Sequence, residues 1–171
     1  QSVVGLAEAT KNPRFAWDAY RRFLQMYSTV VVGLSKDVLE GKLHAIKERA
    51  GVKFDNELPA ERLKELCGEF KAFFRDQTGR DFPQDPWEQL VGAINAVFGS
   101  WNAEKAVTYR RVEKITDLVG TAVNVVQMVF GNKGETSGTG VCFTRDPNTG
   151  ANEFYGEFLI NAQGEDVVAG I

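Results

Sequence analysis

Apolar positions recur every three or four residues through the first half of the chain, then give way to dense β-branched runs in the last third. Phe15, Ala19, Phe23, Met26, Tyr27 and Val30 lie on one helical face. Asn12 before Pro13 supplies a cap, followed by a first-turn residue whose missing N–H costs little. A second helix begins after Ser35, carries Val38, Leu39, Leu43 and Ile46, and ends at Gly51. A third starts at Pro59, presents Leu63, Leu66, Cys67, Phe70, Phe73 and Phe74, and stops at the Thr78-Gly79 pair. Residues 80–86 carry two prolines and read as a junction between lobes. Asp85, Pro86 and Glu88 then open another helix, with Leu90, Ile94, Val97, Phe98 and Trp101 as its buried stripe. A short helical turn covers residues 103–111.

From Thr121 the period changes. Val123, Val125, Val126 and Val129 form a β-branched run that predicts a strand over residues 122–130 covered on both faces. Residues 141–143 and 154–160 predict two more strands, with Asp146-Pro147-Asn148-Thr149-Gly150 as the turn between them. The expected fold class is α+β, with a helical lobe over residues 1–85 and a mostly antiparallel sheet with a Gly-rich loop over residues 86–171.

Composition narrows the function classes. An apolar fraction of 43% and a charged fraction of 25% over 171 residues are ordinary for a globular chain with a real core. A net charge of -3 gives no general electrostatic reason to expect nucleic acid. No apolar run approaches the length of a membrane span, and the residues from Gln1 onward show no signal-peptide pattern. Cys67 and Cys142 sit in apolar surroundings without metal spacing, so both are expected as buried free thiols in a reducing compartment, cytoplasmic or organellar.

The chemistry-bearing segment is Gly131-Asn132-Lys133-Gly134-Glu135-Thr136-Ser137-Gly138-Thr139-Gly140. Four glycines interleaved with hydroxyls free the backbone to turn sharply and to offer several N–H groups to one anion. No Gly-Lys-Ser/Thr ends the run and no helical pattern follows it, so it is not a Walker A loop. Most glycine-rich turns are only turns, and on composition alone both readings stand.

The identity of the flanking residues adds a resemblance. TAVNVVQMVFGNKGETSGTGVCFTRDPNTG from Thr121, continuing as FYGEFLINAQGEDVVAGI, resembles the pyruvate, phosphate dikinases, in the ATP-grasp nucleotide-binding domain at their N-terminal end. Asn12-Pro13-Arg14-Phe15-Ala16, Tyr20-Arg21-Arg22-Phe23, Gly99-Ser100-Trp101 and Tyr109-Arg110-Arg111 are similar too, so the resemblance covers nearly the whole chain. It implies a partial ATP-grasp-like domain of an enzyme that interconverts ATP, phosphate and pyruvate with AMP, pyrophosphate and phosphoenolpyruvate through a phosphohistidine. Phosphoenolpyruvate synthase is the related alternative, less like this chain in the Gly-rich run. A non-catalytic helical interaction module, with its aromatic helices as a docking surface, is the alternative from another class.

By that resemblance, the backbone of Gln127, Met128 and Val129 would meet the adenine edge, and Gly138, Thr139 and Gly140 would approach the phosphates. Thr136 and Ser137 would donate hydroxyl hydrogen bonds, and Lys133 would neutralise charge, against the plain alternative of a solvated loop lysine. Glu165 and Asp166 would face ribose or magnesium, against the alternative of a solvated acidic loop. Magnesium, and in the family a monovalent cation, would accompany the nucleotide. The principal metal ligands are expected beyond Ile171, and an early lysine and an Arg-Ser-Gly segment before Gln1. The chain is therefore expected to be a fragment without turnover and without catalytic residues of its own. The phosphohistidine domain, the pyruvate-binding barrel and a homodimer are the partners the family implies. His44, the only histidine, lacks the glycine- and threonine-rich surroundings of the family's carrier histidine and reads as a helix-face residue. Arg145 reads as an ion-pair partner of Asp146. The basic pairs Arg21-Arg22 and Arg110-Arg111 read as surface or inter-lobe partners of acids.

Overall fold

The computed structural model describes residues 2–169. The chain divides into two compact units, Gln1–Val125 and Val126–Ile171. Unit 1 is helical: α1 (Ser2–Thr10), α2 (Pro13–Met26), a π-helical turn (Tyr27–Val31), α3 (Lys36–Ala50), a 3₁₀ turn (Asp55–Glu57), α4 (Ala60–Thr78), α5 (Pro86–Ser100) and α6 (Glu104–Val112). Asn12 and Asp85 cap α2 and α5 as the sequence predicts, whereas Ser35 precedes α3 without a side-chain cap hydrogen bond. The Phe15 N–H donates to Asn12 Oδ1 at 3.0 Å, and the Trp87 N–H donates to Asp85 Oδ1 at 3.0 Å. Gly51 and Gly79 end α3 and α4 in the left-handed region, with φ of 68° and 70°. Helix α1 was not foreseen from the pattern; none of its residues is buried, and it packs along α2.

The core of unit 1 forms where α2, α3 and α4 meet, around Leu24, Leu39, Ile46, Leu63, Leu66, Phe70 and Phe74. The expected face of the first helix is corrected at its end: Met26 and Val30 are exposed, while Ala16, Leu24 and Ser28 are buried. Within α2 the buried line runs through Phe15, Asp18, Arg21 and Leu24 at three-residue intervals, which leaves Met26 off it. The wider winding of the π turn from Tyr27 shifts the phase for the residues after it, Val30 among them. The expected buried stripe of α5 is also corrected. No α5 residue is buried, and Trp87, Val97 and Phe98 are exposed. That helix touches the π turn at Gly92, where a Cβ would fall 2.3 Å from Tyr27 Oη.

The junction at residues 80–86 is anchored rather than loose. Phe82 is buried, with its ring centroid 5.9 Å from Phe23, 5.2 Å from Tyr27 and 5.2 Å from Phe74, all edge-on. This anchor ties the junction to the helical core.

A charged network lies beside that core, buried at Asp18 and Arg21 and partly exposed at Lys47 and Asp55. Asp18 and Arg21 are both almost fully buried and form an i,i+3 pair. Arg21 also reaches Asp55 at 3.4 Å, and Arg22 reaches Asp18 at 3.4 Å. Lys47 pairs with Asp55 at 2.9 Å, while Arg14 donates to the carbonyls of Asp55 and Leu58 at 2.8 Å and 3.1 Å. The pair Arg21-Arg22 is therefore internal to unit 1, with Arg21 in its interior. Burial alone would raise the Asp18 pKa, but the charges of Arg21, Arg22 and Arg14 and the hydrogen bond from Arg21 hold it below the usual carboxylate value. Cys67 is buried as expected, and burial pushes its thiol up to about 12. His44 is an exposed face residue of α3, 3.7 Å from Glu48.

Unit 2 contains β1 (Gly138–Phe143), β2 (Tyr155–Ile160) and the short helix α7 (Gly164–Ala169). The two strands form one antiparallel sheet, in register from Gly138↔Ile160 to Phe143↔Tyr155. The chain is thus α+β, with the sheet smaller than expected. The strand expected over residues 122–130 is corrected: these residues form neither helix nor strand, and Val125, Val126, Met128 and Val129 are exposed. A β-branched run becomes a strand only when a neighbour completes its ladder, and among the described residues β1 and β2 pair only with each other. Cys142, expected buried, is exposed on β1, because little covers this sheet beyond α7. Among the described residues no helix is long and apolar enough to cross a membrane.

Phe82→Ala should lower the stability of unit 1 by about 3–5 kcal/mol, the cost of emptying a packed aromatic site, as read by urea unfolding of its helical signal. An unchanged midpoint would contradict the anchoring role. Asp18 makes a pH prediction. Its depressed folded pKa contributes stability that is present above the unfolded value of about 4 and is lost as pH falls through the folded one. The stability gap between the unaltered chain and Asp18→Asn should therefore narrow as pH drops below about 4. A gap independent of pH would count against a charged Asp18.

Candidate functional site

Two reversals of the chain bring the Gly-rich run against the segment that precedes α7. Residues 131–136 turn, and the Ser137 N–H donates to the Gly134 carbonyl at 3.0 Å; Gly134 has φ of 147°. β1 then leaves from Gly138 and β2 returns to Asn161, whose N–H donates to the Ser137 carbonyl at 2.7 Å. That bond extends the antiparallel register one step beyond Gly138↔Ile160, at a hydrogen-bonding position. By the alternation of such a ladder, the N–H groups of Gly138 and Gly140 point away from β2, toward the other edge of β1.

The base of the loop is packed without room for a side chain. Gly131 is buried, and a Cβ there would stand 2.0 Å from Thr139 Oγ1, 2.4 Å from the Ala162 carbonyl oxygen and 2.8 Å from that of Gly138. Two of those atoms belong to the backbone and cannot swing aside. Thr139 Oγ1 donates to the Ala162 carbonyl at 2.7 Å, closing β1 onto the start of the acidic segment. Asn132, also buried, accepts from Gln163 Nε2 at 3.1 Å. The Gln163 N–H donates to Asp166 Oδ2 at 2.8 Å, one half of a capping box at the start of α7. Ala162 and Val167 supply the buried apolar contacts beneath.

The expected site residues sort into three groups. Ser137, Gly138, Thr139 and Gly140 lie together at the start of β1, beside the segment carrying Glu165 and Asp166. Glu165 is exposed in the first turn of α7, and Asp166 caps that turn rather than standing in an open acidic loop. Thr136 and Lys133 are exposed on the outer part of the loop. Gln127, Met128 and Val129 lie exposed before the loop, in neither helix nor strand. Thr139 spends its hydroxyl on Ala162, which makes it a structural donor here.

Arg145 donates to the Gly150 carbonyl at 3.2 Å, in place of the ion pair expected with Asp146. The Asp146 carboxylate is occupied instead by the N–H groups of Thr149 and Asn148, at 3.0 Å and 2.7 Å, which hold its pKa below the usual value. Arg110 lies 3.7 Å over the Trp101 ring and donates to the Trp101 carbonyl at 2.8 Å, an aromatic partner where an acid was expected. Among the described residues no group of three or more His, Cys, Asp or Glu side chains is placed to hold a metal ion. Sequence reasoning missed Asn132 and Gln163. Each is a common polar residue, and only the chain reversal that brings them together gives either a role.

The family described as pyruvate phosphate dikinase, AMP/ATP-binding domain, matches residues 25–171. The pyruvate, phosphate dikinase of Clostridium symbiosum is 57% identical over 171 residues, covering 99% of this chain and 20% of that protein. The chloroplastic pyruvate, phosphate dikinase 1 of Arabidopsis thaliana is 56% identical, covering 100% of this chain and 18% of that protein. That of Zea mays is 54% identical over 169 residues, again covering 18% of the relative. The chain thus spans about a fifth of the length of the curated relatives it matches.

Gly131→Ala should disrupt the loop, because two of the clashing atoms are main-chain oxygens. A loss of about 3 kcal/mol in unit 2 is expected, seen as faster amide exchange at Ser137 and Asn161 while the helices of unit 1 keep their rates. Unchanged exchange there would show that the close packing at Gly131 is dispensable.

Proposed function

The chain belongs to the pyruvate, phosphate dikinase family, matching its AMP/ATP-binding domain, and on that premise we propose that it is the part of such an enzyme that holds the polyphosphate and adenine of ATP. The supporting observation is the start of β1: the N–H groups of Gly138 and Gly140 share one strand edge, next to Ser137, on a loop whose base is locked by Gly131. Alternate main-chain donors along one fixed strand edge suit a phosphate chain, because they are oriented before the anion arrives. Lys133 on the outer loop adds positive charge to the same segment. Gln127, Met128 and Val129 present exposed main chain to the adenine edge, and Met128 a polarizable thioether to its face. Glu165, in the first turn of α7, faces the ribose or the ion that travels with the phosphates.

The described residues do not make a metal cage, since Asp166 already accepts the Gln163 N–H and no third acid joins it. Magnesium enters this reading as part of the nucleotide substrate, held by phosphate oxygens. The proposed functional lobes are those of an ATP-grasp-like domain, residues 1–85 and 86–171. In the whole enzyme, the bound ATP would pass phosphoryl groups to phosphate and to a phosphohistidine on another domain, with pyruvate received in a third. Positioning and charge neutralisation dominate such transfers, so this chain contributes binding and orientation rather than a nucleophile. A reducing compartment, cytosol or organelle, suits the free thiols of Cys67 and Cys142.

Magnesium-ATP should slow amide exchange at Val129 and across residues 138–140 of the folded chain and leave α2, α3 and α4 unchanged. Uniform protection of all helices, or no protection of the loop in a folded sample, would overturn this assignment.

A further inference from the structure

At least three hydrogen bonds among the described residues join the loop and the acidic segment. Two follow from strand pairing and its closure: Asn161 to Ser137, and Thr139 to Ala162. The third does not. Asn132 is 8% exposed, at the second position of the loop, and its Oδ1 accepts from Gln163 Nε2 at 3.1 Å. Gln163 is also the residue from which α7 starts. Its own N–H is bound by Asp166 Oδ2 at 2.8 Å, and its carbonyl accepts from the N–H groups of Asp166 at 3.0 Å and Val167 at 3.3 Å. One residue thus holds the first turn of α7 with its main chain and the loop with its side chain. The buried Asn132 amide is costly to leave without its donor, so disturbing the half-buried Gln163 end loads the Asn132 end, and the reverse.

We propose that Asn132 is a positioning residue of the nucleotide site: through Gln163 it couples the Gly-rich loop to the turn carrying Glu165 and Asp166, so that the two open and close as one piece. The role rests on the phosphate-loop reading above for its purpose, though not for its test. A nucleotide drawn down by the loop would bring the acidic turn into place with it, fixing ribose or ion contacts and phosphate contacts together rather than in turn.

The test is amide exchange of the nucleotide-free chain. Asn132→Leu keeps the volume and removes the acceptor. It should speed exchange of the Asp166 and Val167 N–H groups, across the tie, by about five- to tenfold, the change that one lost hydrogen bond gives to a local opening. The Asp146 and Gly150 N–H groups at the far end of the hairpin should keep their rates. Asn132→Asp, which retains an acceptor for Gln163 Nε2, should restore slow exchange at Asp166 and Val167. Unchanged rates at Asp166 and Val167 in Asn132→Leu would overturn the proposal. So would equal acceleration at Gly150, the mark of a purely structural residue. Should Asn132→Leu unfold the unit, Gln163→Leu decides. Faster exchange at Ser137 with Gly150 unchanged supports the coupling, and unchanged exchange at Ser137 overturns it. Because no nucleotide is present, a failure of magnesium-ATP to protect residues 138–140 counts against the phosphate-loop reading alone.

Discussion

At Gly131 the backbone passes so close to Thr139, Ala162 and Gly138 that a single methyl group would stand within 3 Å of all three. The rest of unit 2 depends on that approach. It allows Asn132 to reach Gln163, lets Thr139 close on Ala162, and leaves β1 to start with its glycine N–H groups directed toward one edge. A loop built only for flexibility would not bury its first two residues. Here the flexibility of glycine is spent on proximity at one end, while Gly134, with its positive φ, supplies the turn.

Unit 1 is held by different physics. An aromatic cluster closes around Phe82, and a partly buried set of charges fixes the 3₁₀ turn at Asp55 against α2 and α3. Buried pairs of this type add little net stability, since desolvation offsets their attraction, but losing one partner leaves a charge stranded. Their effect is to fix how α2 lies against the 3₁₀ turn. The exposed stripe of α5 shows where this packing stops.

Local signals made much of unit 1 legible. Asn12 with Pro13, Gly51, Gly79, and Asp85 with Pro86 mark helix ends by chemistry that acts within four residues, so the sequence carries it directly. The π turn at Tyr27 and the internal position of Arg21 were not legible, because each is set by what packs on it. The β-branched run before Phe130 illustrates the opposite failure. Its propensity was read correctly, but a strand is a relation between two segments, and no described neighbour pairs with it. For the site, the Gly-rich run was legible as a special loop and its resemblance gave a ligand. That Thr139 is a structural donor, that Asp166 is a cap, and that Asn132 and Gln163 matter all follow from chain reversal, which no spacing encodes.

The proposed grip of the locked loop on the outer phosphates of ATP is tested most directly by phosphorus NMR. Added to magnesium-ATP, the folded chain should shift and broaden the β- and γ-phosphorus resonances more than the α resonance, and should perturb AMP far less. Unchanged ATP resonances in the presence of the folded chain, or an equal effect on AMP, would contradict it.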